Sequence, residues 1–242
     1  MDYCGQHTYL LRKWNTSSQW SKTVMACTTI ITASNGMKLR PMTESDFSFY
    51  MECWKDFPQG LQSYAERLNR FSLHMERNEG YGTEALVKSG DVNYDDKCIV
   101  WSMILEKVDG TPVAYQTYVF EEEDICLSRF EIIHPNHRGQ GYWTALHMFL
   151  LAMCQRVEVS SAYSWYMAAN PVNSNAVSAE RTKFSAAGFD LSGTAKIVPT
   201  DPPTFNTHEH DVVKNHGTIA QYAQYKANDS TWADVTWTYS TT

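Results

Sequence analysis

The chain has no cysteines in metal-ligand spacing, no long apolar run and no excess of positive charge, and each absence closes a class of function. Cys4, Cys27, Cys53, Cys98, Cys126 and Cys154 stand singly, with no C-x-x-C pair. That pattern suggests neither a zinc ribbon nor a disulfide framework, and the six read as reduced thiols of a cytoplasmic protein. Arg12 and Lys13 are followed by Asn15, Thr16, Ser17, Ser18 and Gln19, so the apolar core of a signal peptide is missing there, and no stretch approaches a membrane span. The formal net charge is −7; binding a nucleic-acid backbone through counterion release needs a basic surface, so neither nucleic acid nor membrane is expected as a partner. An acidic surface suits a cationic partner such as an amine.

What is present is enough for one well-buried core: 242 residues, of which 43% are hydrophobic and 13% aromatic. Residues 1–36 are polar and rich in Thr and Ser, and read as an N-terminal extension; Met25 and Met37 each precede a workable folded start. A main domain is expected over 37–198 and a C-terminal extension over 199–242, packing on or completing the sheet. The segment 38–47 reads as a short strand, then an N-cap at Thr43 or Ser45 with acids in the first turn. Helical periodicity follows over 47–54 and 61–75. Strands are expected at 98–107, 112–120 and 125–134, separated by a turn at Val108-Asp109-Gly110 and an acidic turn at Glu121-Glu122-Glu123-Asp124. A helix over 141–156, a strand over 162–167 and a helix ending before Gly188 complete a β-α-α-β-β-β-α-β-α order. In the tail, alternation predicts a half-buried strand over 235–239, which is a candidate dimer edge.

The most telling segment is Ile132-Ile133-His134-Pro135-Asn136-His137-Arg138-Gly139-Gln140-Gly141-Tyr142-Trp143-Thr144. An apolar strand passes through a glycine-punctuated basic loop straight into a helix. Pro135 ends the strand, Gly139 and Gly141 permit backbone conformations that a Cβ hinders, and the next amides are the unpaired N-terminus of a helix, whose dipole favours a phosphate. A P-loop is excluded because no Lys-Ser or Lys-Thr follows the glycines, and a dinucleotide fingerprint because the third glycine is missing.

These residues resemble the central motif of the GNAT superfamily of acetyl-CoA-dependent N-acyltransferases, in which a strand ending Val-x-Pro leads to Arg/Gln-x-x-Gly-x-Gly/Ala. The match here is Ile133-His134-Pro135 followed by Arg138-Gly139-Gln140-Gly141. The start at 38–47 and the downstream Asn170-Pro171-Val172-Asn173-Ser174-Asn175, helix and Gly188-Phe189 resemble the same family, so the likeness covers roughly 37–191. It implies an α/β fold with a mixed, splayed β-sheet flanked by helices on both faces, and N-acetylation of a primary amine, small-molecule or peptide, by direct attack on acetyl-CoA with no metal. Ile132, Ile133, His134, Arg138, Gly139, Gln140, Gly141, Tyr142, Trp143 and Thr144, with Asn173 and Asn175, are by resemblance the cofactor-binding residues; loop amides take the pyrophosphate, and the backbone at Ile133 is the pantetheine and carbonyl-polarising edge.

The reaction also needs proton transfer. Glu131, a carboxylate at an otherwise apolar strand end, is the candidate base; the competing reading is an ion pair with Arg129 or a neighbouring cation. Two positions depart from the family pattern. Trp143 stands where Gly or Ala is usual, and Phe184 stands where many members carry a Tyr that acts as general acid. Tyr163, Tyr166, Ser164 or a water then serves, with Tyr166 the chosen candidate, or no acid is needed. The alternative function is a catalytically silent GNAT fold serving as a structural or interaction module. Glu121, Glu122 and Glu123 read as a solvated turn rather than a substrate rim, and His208-Glu209-His210-Asp211 as an exposed loop rather than a metal site.

Overall fold

The computed structural model describes residues 29–55, 71, 99–120, 124–127, 132–167, 174–197 and 210–241. Ten strands, β1 (Thr29–Ala33), β2 (Lys38–Pro41), β3 (Ile99–Glu106), β4 (Pro112–Phe120), β5 (Asp124–Leu127), β6 (Ile132–Ile133), β7 (Ser161–Met167), β8 (Thr194–Ile197), β9 (His210–Thr218) and β10 (Trp237–Thr241), form one mixed sheet. Its order is β10-β1-β2-β3-β4-β5-β7-β9-β8, with β6 paired to β4. Among the described residues four helices, α1 (Phe47–Cys53), α2 (Tyr142–Val157), α3 (Ser174–Ala186) and α4 (Ile219–Ala227), accompany it. The expected helix at 61–75 lies outside the described residues except for Phe71, which is helical.

Strand alternation assigns the two faces. Trp101, Met103 and Leu105 of β3 point into the larger core with α2, while Ile104 between them joins Tyr50, Trp54, Tyr115 and Ile132 in a second core beneath α1. The entry to α1 is fixed by charge. The Arg40 guanidinium meets Asp46 through two 2.7 Å contacts and Glu106 through a 2.6 Å one. Thr43 donates its amide and its hydroxyl to the same Asp46 carboxylate. Burial pushes the Asp46 carboxyl upward, but Arg40 and Thr43 outweigh it and hold the group below its usual range. Thr43, one of the two predicted caps, therefore starts the short 3-10 turn Glu44–Asp46 that leads into α1.

The sheet opens where β5 gives way to β6. Parallel pairing of β5 with β7 runs from Asp124↔Ser161 to Leu127↔Ser164. Beyond it β7 continues to Met167 paired with β9, whereas Ile132 and Ile133 pair with Tyr115 and Ala114 of β4. The β4 register shifts by two residues between Tyr118↔Leu127 and Ala114↔Ile133, so the single strand expected over 125–134 is described as two strands, β5 and β6, in different registers. Such a shift bends a strand away from its neighbour, which splays the sheet.

The two extensions enter the sheet. Thr29–Ala33, inside the stretch read as an N-terminal extension, pairs with β2 on one side and β10 on the other. In the tail, β9 carries His210 and Asp211, so the expectation of a loop there is corrected: they pair with Ile197 and Lys196 of β8. Thr218 caps α4, accepting from the Gln221 amide at 3.3 Å while Gln221 accepts from the Thr218 amide at 2.8 Å. From α4 the chain crosses α2 through Trp232, whose ring meets Phe149, and reaches β10, which starts two residues later than predicted. Tyr239 donates its hydroxyl to the Ala152 carbonyl of α2 at 2.8 Å.

Candidate functional site

The loop between β6 and α2 is built from backbone. His134 caps a 3-10 turn, Pro135–His137, and its Nδ1 accepts from the Asn136 amide at 3.3 Å. Gln140 donates its Nε2 to the Asn136 carbonyl at 3.1 Å, closing the loop on itself. Gly139 and Gly141 sit at φ +73° and +83°, in the left-handed region, and a Cβ at either would meet nothing within 4 Å. The glycines are therefore required for backbone shape and not for packing, and the space in front of them is open. Gly141 is the N-cap of the 16-residue α2, so the positive end of the helix lies at this loop. The Ala145 amide already bonds to the Gly141 carbonyl at 3.1 Å.

The strand leading to this loop adds one donor. The His134 amide bonds to the Val113 carbonyl at 2.9 Å, and Ile133 stands opposite Ala114. In an antiparallel ladder bonded and non-bonded pairs alternate, so the N–H and C=O of Ile133 face away from β4, toward the opening beside β7. Arg138 occupies that carbonyl: its Nε donates to it at 3.3 Å. The guanidinium is folded back along the strand end, leaving its remaining N–H groups at the loop's exposed side. A ladder of rings braces the same edge, Phe49 stacked on His134 at 5.5 Å, His134 beside His137 at 5.5 Å, and His137 against Tyr142 at 6.0 Å.

Two departures from the motif receive definite positions. Trp143 carries its ring along α2 onto His147, parallel within 2° at a centroid distance of 6.5 Å. This places the indole one turn beyond the loop amides. Phe184 is fully buried, stacked on Phe189 at 4.5 Å and against Tyr225 at 4.9 Å and His147 at 5.0 Å. It is a core ring, packed between Phe189 and the Tyr225 and His147 rings.

Of the other expected site residues, Ile132 is buried in the α1-side core, Tyr166 pairs with Val213 in the sheet, and Asn175 is the second residue of α3. Glu131, Asn173 and the acidic turn residues Glu121, Glu122 and Glu123 lie outside the described residues. Sequence reasoning passed over a polar cluster beneath α2. His147 is completely buried, its Nδ1 3.1 Å from the Trp143 carbonyl and 3.5 Å from Glu180, whose carboxylate also accepts from the Tyr225 hydroxyl. Beside it Lys183 donates to the Thr144 hydroxyl at 3.2 Å and to Asp229 at 3.3 Å. A histidine within the apolar run Leu146-His147-Met148-Phe149 and a carboxylate on the facing helix were the signals available.

No family model matches the chain, and no curated protein matches it. Among solved structures, it is similar to a chimera of the spermidine N-acetyltransferase SpeG from Vibrio cholerae and hSSAT, at 15% identity over 77% of this chain and 98% of that one, with a TM-score of 0.50. It is also similar to spermidine N-acetyltransferase from Vibrio cholerae in complex with CoA and spermine, at 15% identity, 77% and 98% coverage and a TM-score of 0.48. The ribosomal-protein-S18-alanine N-acetyltransferase from Escherichia coli follows at 15% identity, 76% and 94% coverage and 0.46. The likeness is one of fold: the chain has the GNAT fold, with the sheet splayed at the end of β5.

Proposed function

We propose that the protein is an N-acetyltransferase that moves an acetyl group from acetyl-CoA to a primary amine by direct attack. The observation that carries this reading is the alignment of backbone along one edge: the outward N–H of Ile133, continued by the left-handed Gly139 and Gly141 with open space before them and by the N-terminus of α2. These residues fit the substrate. The loop amides and the positive end of α2 suit a diphosphate, and the Ile133 N–H suits the pantetheine arm and thioester carbonyl.

When bound, acetyl-CoA supplies the activated acyl group. The chain's residues then hold the thioester in the opening, orient its carbonyl and take the proton that the attacking amine must lose. Glu131 is the proposed base, since it immediately precedes Ile132, the first residue of β6, in the sequence. Formation of the amide C–N bond breaks the C–S bond, and the departing sulfur takes a proton from Tyr166 or from water. Cys53 and Cys154 give an acyl-enzyme route no support: both are buried, and burial pushes the Cys53 thiol up, away from the reactive thiolate.

The net charge of −7 favours encounter with a cationic acceptor. A metabolite amine, a polyamine and a peptide amine all fit that description. The silent-fold reading is favoured by one observation, the buried Phe184 in place of a hydroxyl-bearing ring.

Calorimetric titration of the full chain with acetyl-CoA and CoA, followed by an amine screen, tests the proposal. Binding is expected, and it should disappear in Gly141→Val, because a β-branched residue at φ +83° forces the loop out of shape. In an active preparation Glu131→Gln should lower turnover by roughly 100- to 10,000-fold while CoA binding persists. Absence of binding by the native chain would hand the case to the silent fold.

A further inference from the structure

We infer that Lys183 is a second cation of the anion site, contacting the diphosphate of acetyl-CoA from the α3 side, opposite Arg138. The inference rests on the acetyl-CoA reading above and adds to it a contact outside the loop motif.

Lys183 Nζ lies 3.2 Å from Oγ1 of Thr144, the third residue of α2, and 3.3 Å from Oδ2 of Asp229. The side chain is 46% exposed, while Asp229 is 17% exposed. An ammonium has three N–H donors, so after Thr144 and Asp229 one remains for a ligand. Asp229 is itself fixed, because its other oxygen accepts from the Thr231 amide at 3.0 Å. The result is a lysine whose flexible stem is held at both of its contacts, beside the first turn of the longest helix described.

That position is the wrong one for helix stability. The N-terminus of a helix carries partial positive charge, and a cation there is repelled. Lys183 at the Thr144 hydroxyl therefore works against the α2 dipole, and Asp229 at 3.3 Å offsets part of this. An anion lying on the 139–144 amides reverses the sign of the arrangement. Lys183 and Arg138 then flank it from two sides, matching two positive charges to the two negative charges of a diphosphate.

Asp229 gives the arrangement a further consequence. It belongs to the turn after α4, so the C-terminal extension sets the aim of a residue at the cofactor loop. It also competes with the ligand for the same ammonium. Removing its charge should strengthen ligand binding even though an ion pair of the free protein is lost.

The test is calorimetric titration of the full native chain, Lys183→Gln, Lys183→Arg and Asp229→Asn with CoA, 3′-dephospho-CoA and acetyl-pantetheine, with a melting curve for each protein. Lys183→Gln is expected to weaken CoA and 3′-dephospho-CoA alike by about tenfold, as loss of one charge-assisted hydrogen bond implies. Lys183→Arg should restore most of that loss, Asp229→Asn should tighten CoA, and acetyl-pantetheine, which has no phosphate, should be indifferent to all three. Unchanged CoA binding by Lys183→Gln would overturn the inference while leaving the proposed function standing. An effect confined to CoA would move the contact to the 3′-phosphate and overturn the diphosphate assignment. An equal loss for acetyl-pantetheine would reduce Lys183 to a structural tie. If the native chain binds no CoA, the acetyl-CoA reading and this inference fall together.

Discussion

The first and second turns of α2 are built on opposite plans. The first turn, Tyr142 to Thr144 behind Gly141, is approached by an open loop whose useful groups are amides. The second turn, around His147, is sealed by rings and polar groups from α3 and α4: Phe184, Tyr225 and Glu180. A site that recognises phosphate through backbone must remain uncovered, and so depends on glycines and on the direction of a helix. A helix carrying such a site must still be anchored, and here the anchor comes from α3 together with α4 of the C-terminal extension. On the function proposed above the open turn gives recognition and the closed turn gives rigidity, so perturbing them should separate binding from stability.

The largest effect is expected at the closed turn. Phe184 is fully exposed to its neighbours and not at all to water, stacked on Phe189 and packed against Tyr222, Tyr225 and His147. Phe184→Ala should cost about 3–5 kcal/mol of stability through lost transfer energy and the cavity left behind, read from urea unfolding. Phe184→Tyr sharpens the contrast. If the position were a lapsed catalytic acid, the hydroxyl should raise turnover; as a core ring, it should instead cost about 1–3 kcal/mol for an unsatisfied buried hydroxyl and leave turnover unimproved.

The same contrast governs what was legible in the sequence. Local chemistry spelled out the open turn: Pro135 as the strand stop, Gly139 and Gly141 as the two left-handed positions, and the helix from Tyr142 were all placed within a residue. The strand 112–120 was also placed correctly, since its run of β-branched and aromatic residues and the Asp109-Gly110 turn before it are written in adjacent residues. The closed turn depends on partners far along the chain. Tyr225 meets Glu180 across 45 residues, and Lys183 meets Asp229 across 46, distances over which periodicity carries no information. The tail failed for a related reason: prolines at 199, 202 and 203 suggested an interrupted segment, while β9 is held by pairing with β7 and β8 rather than by its own pattern. The register shift between β5 and β6 was likewise invisible, because an apolar strand end reads the same with or without one.

A smaller effect should appear as a pH dependence confined to the closed turn. Burial is the main cause that lowers the His147 pKa below 6.5, and Lys183 acts in the same direction, while Glu180 and the Trp143 carbonyl act against it. The folded protein thus holds His147 neutral where the unfolded chain would protonate it. The unfolded state binds the extra proton, so stability is fully present above about pH 6.5 and declines as pH falls through that value, by up to about 1.4 kcal/mol per pH unit. Urea midpoints measured at successive pH values should show this slope, and His147→Leu should flatten it. A slope unchanged in the variant would assign the titration elsewhere.

The smallest expected effect is at the boundary between the two turns, where Trp143 belongs to both. Its amide is in the first turn and its ring lies on His147 in the second. If recognition is carried by backbone, Trp143→Ala should change acetyl-CoA affinity by no more than about threefold, because the amide and the helix dipole survive. The stacked ring should still be missed in stability, by about 1 kcal/mol as an aromatic pair beyond its buried area. Tighter CoA binding by tenfold or more in Trp143→Ala would mean that the indole obstructs the groove, and the division of α2 into an open and a closed turn would then fail at the residue that joins them.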